Sequence, residues 1–342
     1  MRARIGRTRF AGVAFWGIAA LLLFPFVSVA DDSYPVKPLR VVVGYAPGGG
    51  SDRTTRTLQK FLEKEFGKDI VVENMAGAGG LIAQAALARE KPEGYMTTNV
   101  NYPAFAYGLI MQKTPFTFDT FTPMWIEVCD PVILVVKKDS KWNTLADFIE
   151  AVKSEPGKYA VSVAGLGGQH ANALWLKKQL KLDFKIVTYN SGGESASALL
   201  GGHVNATFGD AVSRADMRSE LKCLGVVSDK SNPIWPEGKP FFEQLKAYNL
   251  TLPVENFQAR YGIYWVQTEF RKRYPDRYKK LVDAFVRATS SPEYKALAEK
   301  SGIAPSLVNQ EGTGMSGVNY GAVFAKEFEV IRTEIVPLFN AK

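Results

Sequence analysis

The chain has 342 residues and carries 42 Lys+Arg against 34 Asp+Glu, a net charge of +8. Four of the cations, Arg2, Arg4, Arg7 and Arg9, crowd the first ten positions, so the rest holds 38 against 34, about +4. With no basic block and no aromatic–basic stripe, that balance argues against a nucleic-acid partner and leaves only mild steering of a small anion.

The N-terminal arginines precede an apolar stretch, Phe10 to Phe26, and small residues at Ser28-Val29-Ala30. This pattern reads as a secretory signal peptide over 1–30, cleaved after Ala30. A membrane anchor is the competing reading. Gly12, Gly17 and Pro25 interrupt the stretch, which is short for a spanning helix of about 20 residues. The arginines are not paired as a twin-Arg motif, which favours the general secretory route. In an oxidising compartment Cys129 and Cys223 could pair. Both also sit beside predicted strands, where buried free thiols are equally at home.

Leu39–Tyr45 is a short β-branched run, read as a buried strand that ends in Ala46-Pro47-Gly48-Gly49-Gly50-Ser51-Asp52. A helix follows, with Leu58, Phe61, Leu62 and Phe66 on one stripe, Ser51 or Asp52 as N-cap and Gly67 as stop. Asp69–Glu73 is the next strand. It opens into Asn74–Gly80 and a helix through Leu81–Arg89. This strand–glycine loop–helix unit, immediately repeated, predicts a parallel sheet.

The pattern restarts with a strand at Val132–Val136 and a helix capped by Thr144. Tyr159–Ala164 is a strand ending in Gly165-Leu166-Gly167-Gly168-Gln169-His170, with a helix after it. Phe184–Tyr189 leads to Asn190-Ser191-Gly192-Gly193-Glu194 and a further helix, and Val204–Phe208 and Cys223–Val227 complete a second sheet. The tail from Pro275 is helical, closing with an amphipathic helix over Tyr320–Val336. Two lobes are expected: 31–130 with 257–342, and 131–256. Crossings fall near Cys129–Pro131 and Phe257–Tyr264.

The loop at 46–52 is no P-loop, because no Gly-Lys-Ser/Thr follows it, and no dinucleotide fingerprint is present. Its glycines instead let backbone N–H groups approach an anion at a helix N-terminus. A plain strand-to-helix turn is the bland alternative. The same device recurs at 77–80, 165–168 and 191–193, and ligands of open α/β sheets bind outside the carboxyl ends of the strands. Backbone donors alone would then hold a small anion, without an arginine clamp. Catalysis has little support: His170 and His203 are the only histidines, there is no nucleophile elbow, and no Cys/His set has zinc spacing. His170 reads as cleft lining or as a helix-start residue. Asp210 could accept a hydrogen bond from a ligand hydroxyl, orient a water or cap the next helix. No cofactor and no metal are expected.

The run Tyr34-Pro35-x-Lys37-Pro38-Leu39-Arg40, then Ala46-Pro47-Gly48-Gly49 and Asp52, resembles the opening of substrate-binding proteins of tripartite tricarboxylate transporters, the Bug receptors. Val72-Glu73-Asn74, Gly77–Gly80, Pro92-x-Gly94-Tyr95, Tyr189 with Gly192–Glu194, and Ala198–Val204 are similar to later stretches of the same family. The match covers most of 34–230. It implies a two-lobed, type II-like periplasmic binding protein, a Venus flytrap, whose lobes each hold a mostly parallel sheet flanked by helices. It further implies a non-enzymatic periplasmic receptor that captures a di-, tri- or aromatic carboxylate and hands it to integral-membrane carrier subunits; a monomer is the default for a receptor that must dock with its carrier. A sensor presenting the ligand to a signalling kinase, and a periplasmic hydrolase, are the alternatives. Carried over, the site comprises Gly48, Gly49, Ser51 and Asp52 from lobe one. From lobe two come Gly165, Gly167, Gly168, Gln169 and His170, with Tyr189 and Asp210 nearby. Tyr45, Gly79, Asn101 and Tyr102 add further wall. The sequence departs from the family in a tighter 165–170 loop, in Asn172-Ala173, and in Trp265–Phe270 where Ala-Pro-x-Gly-Thr-Pro is usual.

Overall fold

The computed structural model describes residues 33–340 apart from 49, 166, 190, 254–256 and 314–318. The basic–apolar leader and its cleavage point lie outside the described residues. β1 (Leu39–Val43) leads to helix α1 (Gly50–Phe66), β2 (Ile70–Asn74) to α2 (Leu81–Arg89), and β3 (Met96–Tyr102) to α3 (Ala104–Met111). β4 (Phe121–Asp130) hands the chain to β5 (Val132–Lys137). Then come α4 (Leu145–Ser154), β6 (Ala160–Ala164), α5 (Gly168–Gln179), β7 (Lys185–Tyr189), α6 (Gly192–Leu200), β8 (Ala206–Asp210) and β9 (Leu221–Val226). After α7 (Phe241–Gln244) the chain returns in β10 (Arg260–Gln267). It finishes with α8 (Thr268–Arg273), α9 (Pro275–Ser290), α10 (Pro292–Lys300), β11 (Leu307–Glu311), α11 (Tyr320–Val330) and α12 (Val336–Asn340).

The strands form two sheets, ordered β11-β4-β10-β3-β1-β2 and β7-β6-β8-β5-β9. Strands from 39–130 and 260–311 build the first and strands from 132–226 the second, so the chain changes sheet at Pro131 and again before Arg260. Both sheets are mixed. The parallel pairings are those of β1 with β2 and β3, and of β6 with β7 and β8, the sets that carry the glycine loops. The crossing strands β4, β5 and β10 pair antiparallel. That arrangement brings Arg260, at the start of β10, directly opposite Asp130, at the end of β4.

Local chemistry explains several helix starts. Thr144 accepts from the Asp147 N–H at 3.1 Å while Asp147 accepts from the Thr144 N–H at 3.0 Å, a reciprocal cap that fixes α4. Ser191 caps α6 through the Glu194 N–H at 3.2 Å. α1 begins at Gly50, ahead of the expected caps, because Asp52 turns back instead and accepts from the Gly48 N–H at 2.8 Å. Burial comes from the predicted stripes, with Leu58 and Leu62 on α1 and Phe148, Ile149 and Val152 on α4. One apolar cluster runs from Phe105 and Trp265 beside the larger sheet to Phe148, Leu176 and Phe184 beside the smaller. Each such side chain contributes roughly 1.5–3 kcal/mol by leaving water. Cys129 and Cys223 are both free thiols. Four strands, β3, β4, β10 and β11, have no counterpart in the sequence reading.

Candidate functional site

A cavity of about 140 Å³ opens where the two sheets meet. Tyr45, Asn101, Tyr102, Pro103 and Ala104 line it from the β1 and β3 ends, and Ala164, Gly168, Gln169 and Asp210 from the β6 and β8 ends. Gln258 and Arg260, on the returning chain, close it. A larger hollow of about 360 Å³ between Lys137, Trp142, Lys158 and Asn205 lies at the opposite end of the second sheet, where β6 and β8 begin. Ligands of open α/β sheets meet the carboxyl ends of strands, which makes the smaller cavity the candidate site.

The first wall is built on a braced loop. Gly48 has φ +76°, the left-handed conformation that favours glycine. Asp52, 3% exposed, gathers the loop by accepting from the Gly48 N–H at 2.8 Å, Asn74 Nδ2 at 2.9 Å and Arg56 Nε at 3.0 Å. Burial opposes its charge, but these three donors together hold the carboxyl below its usual range. Ser51 donates to Asn101 Oδ1 at 3.2 Å, and the Asn101 N–H donates to the Tyr45 hydroxyl at 3.0 Å. Burial pushes the Tyr45 phenol up to about 12, so it stays neutral at physiological pH. The second wall starts where Gln169 accepts from the Ala164 N–H at 3.1 Å. Its amide nitrogen makes no hydrogen bond among the described residues.

Arg260 supplies the charge. Its Nη2 contacts Asp130 at 3.2 Å and its Nε lies 4.0 Å from Asp210, while Nη1 donates to none of the described residues. Burial works against this cation, yet Asp130 and Asp210 outweigh it and raise its pKa. Asp130 is wholly buried, which raises its carboxyl despite Arg260 and the Val212 N–H at 2.9 Å. Sequence reasoning did not single out Arg260, and no local motif marks it. Its place depends on the β10–β4 pairing, which joins residues 130 positions apart.

Of the residues named from sequence, the structure brings Tyr45, Asn101, Gly168, Gln169 and Asp210 to the cavity, with Tyr102 beside them. Ser51, Gly48 and Asp52 sit behind this wall as its bracing. Gly165, at φ +57°, and Gly167 shape the turn into α5. Gly79, at φ +66°, packs under Ala104. Tyr189 is half-buried against the Val135–Leu199 cluster. His170 turns to the edge of Phe339, 4.9 Å away, and burial lowers its pKa. Gly49 lies outside the described residues. Among the described residues no group of three or more His, Cys, Asp or Glu could hold a metal ion.

A family model for the tripartite tricarboxylate transporter family receptor, TctC, matches residues 54–315. The chain belongs to that family. BugT of Bordetella pertussis is 30% identical over 231 residues, covering 66% of this chain and 68% of BugT. A TctC solute binding protein from Polaromonas superposes with a TM-score of 0.71 at 24% identity, over 90% of this chain and 99% of that one. MatC from Rhodopseudomonas palustris with bound malate gives 0.67 at 23%, over 87% and 99%. An R. palustris protein with adipate gives 0.65 at 19%, over 90% and 98%. These structures share the two-lobed periplasmic binding-protein fold. The TctC-type chain is thus a periplasmic solute-binding protein, and its relatives of known structure are receptors.

Proposed function

We propose that this receptor captures a small carboxylate in the cavity between Tyr45, Gln169 and Arg260 and delivers it to the carrier subunits of a tripartite tricarboxylate-type transporter. The observation that carries this reading is that Arg260 and Gln169, each keeping a donor unused among the described residues, line one cavity. Charge-assisted hydrogen bonds are worth roughly 1.5–3 kcal/mol each. The space of about 140 Å³ equals roughly five water molecules, the scale of a small organic acid rather than a nucleotide. Asp210 beside Arg260 favours an acid with a hydroxyl that can donate to it. Malate and adipate in the structural relatives support the same class.

In this reading the lobes are 31–130 with 257–342, and 131–256, a monomer is the working unit, and no chemistry is performed on the ligand. The test is a thermal-shift and calorimetric screen of malate, succinate, adipate, citrate, benzoate and terephthalate. A ligand at 100 times its Kd adds about 2.7 kcal/mol of stability, a readily measured rise in Tm. Absence of binding by every one of these acids overturns the proposal.

A further inference from the structure

Arg214 stands apart from the ion pairs of the cleft. It is 2% exposed, yet its Nε and Nη2 have no hydrogen-bond partner, and Nη1 reaches only Ser213 Oγ at 3.4 Å. Burying a guanidinium with open donors is costly. The carboxylates near enough to act on its charge, Asp210 and Asp130, are committed to Arg260 at 4.0 and 3.2 Å. Two glycines make room for it. A Cβ on Gly209 would lie 2.8 Å from Nε, and one on Gly192 3.2 Å from Nη1.

Gly192 opens the nine-residue α6. The amides of Gly192 and Gly193 donate to none of the described residues, as expected for the first turn of a helix. A buried cation with open donors therefore lies directly behind a half-exposed helix N-terminus, separated from it by one side-chain-free residue. Arg214 and Gly192 do not line the cavity themselves but lie next to residues that do. Gly209 precedes cavity-lining Asp210, and the Gly165 N–H donates to the Tyr189 carbonyl at 2.8 Å, tying the α6 loop to the cavity-lining one.

We propose that Arg214 and the first turn of α6 form a second anion subsite, so that the receptor takes a dicarboxylate with one carboxylate at Arg260 and the other at Gly192-Gly193. The inference rests on the carboxylate reading above and names its class: two anionic ends. The helix N-terminus supplies amide donors and partial positive charge, and Arg214 supplies the full charge that makes the turn an anion site.

The test is calorimetric titration of wild type, Arg214→Gln and Gly192→Ala with malate and adipate, and with the monocarboxylates lactate and butyrate. Gly192 does not have a left-handed φ, so alanine fits its backbone while filling the space before Nη1. Wild type should prefer the dicarboxylates by about tenfold or more. Each variant should lose about 10- to 100-fold for the dicarboxylates, the worth of one or two charge-assisted bonds, with monocarboxylate affinity within about threefold of wild type. Should Arg214→Gln fail to fold by circular dichroism, Gly192→Ala decides. An unchanged dicarboxylate preference in Gly192→Ala, or an equal loss for both ligand classes, overturns the subsite and leaves the carboxylate reading standing. No binding of either class by wild type overturns both.

Discussion

The backbone oxygen of Gln258 lies so close to Gly168 that a Cβ on that glycine would sit 2.1 Å from it. Gly168 starts α5 beside the second sheet, and Gln258 belongs to the chain returning to the first sheet. The contact is reinforced by Asn172 Nδ2, which bonds the Gly168 carbonyl at 3.0 Å and the Phe257 carbonyl at 3.4 Å. Gly168→Ala must push α5 away from this crossing. The expected cost is about 1–3 kcal/mol, as for other overpacked sites, read as a Tm lower by several degrees in scanning calorimetry. A Tm within one degree of wild type would show the contact to be unimportant.

Replacing the cavity's cation tests the binding reading directly. Arg260→Gln keeps hydrogen-bonding capacity but removes the charge, and should weaken carboxylate binding by about 10- to 100-fold in titration calorimetry. Asp130, wholly buried, would lose its counter-ion, so the variant is best paired with Asp130→Asn to keep the fold intact. Undiminished affinity in the double variant would place the ligand elsewhere.

Asp52→Ala strips three acceptor contacts from the first loop at once. A loss of about 1–3 kcal/mol in urea unfolding is expected, because Arg56 and Asn74 can turn to water while the Gly48 amide is set free. The folded pKa of Asp52 is depressed, so its contribution is present above the ordinary carboxylate range and disappears as pH falls through the folded value. The wild-type advantage over Asp52→Ala should shrink on acidification. A gap that stays constant from pH 6 to pH 3 would remove the carboxylate's charge from the account.

Glu327 on α11 predicts the opposite slope. Its carboxyl, 1% exposed, accepts from the Gln258 N–H at 2.8 Å and Gln258 Nε2 at 3.0 Å, while the Tyr107 hydroxyl donates to Gln258 Oε1. Burial raises its pKa from 4.5 to about 8. The stability tied to its protonated form is full below about pH 4.5 and is lost as pH rises through about 8. Glu327→Gln, neutral at every pH, should flatten that decline between pH 5 and 8. Parallel Tm–pH curves for wild type and variant would contradict this.

What the sequence reveals divides along local and non-local lines. The glycine loops after β1, β2 and β6 are legible because a turn with positive φ or close backbone approach demands glycine at that spot. Thr144, Leu58 and Phe148 announce their helices by capping and period. β3, Met-Thr-Thr-Asn-Val-Asn-Tyr, hides because its buried Thr and Asn bond within the fold, Asn99 to Thr55 and Thr98 to Gln84, so it lacks an apolar run. β4 contains Pro123 and the buried Glu127, both poor advertisements for a central strand. Arg260 acquires meaning only through Asp130, 130 residues away, and Arg214 through the packing of Gly192 and Gly209 around it, which no local motif announces. A reading from local motifs therefore names neither the part-exposed Arg260 nor the buried Arg214.

Asp130 ends the last strand before the chain leaves the first sheet, Arg260 begins the strand on which it comes back, and the Val212 N–H, just after β8 of the second sheet, donates to the other oxygen of Asp130. The ion pair is therefore a knot tied at both crossings. On the proposed function, an anion that draws the guanidinium toward itself would compete with Asp130 and pull on both connecting strands at once. In the carboxylate reading proposed above, occupancy of the cavity and the pairing of the two crossing strands would share one guanidinium.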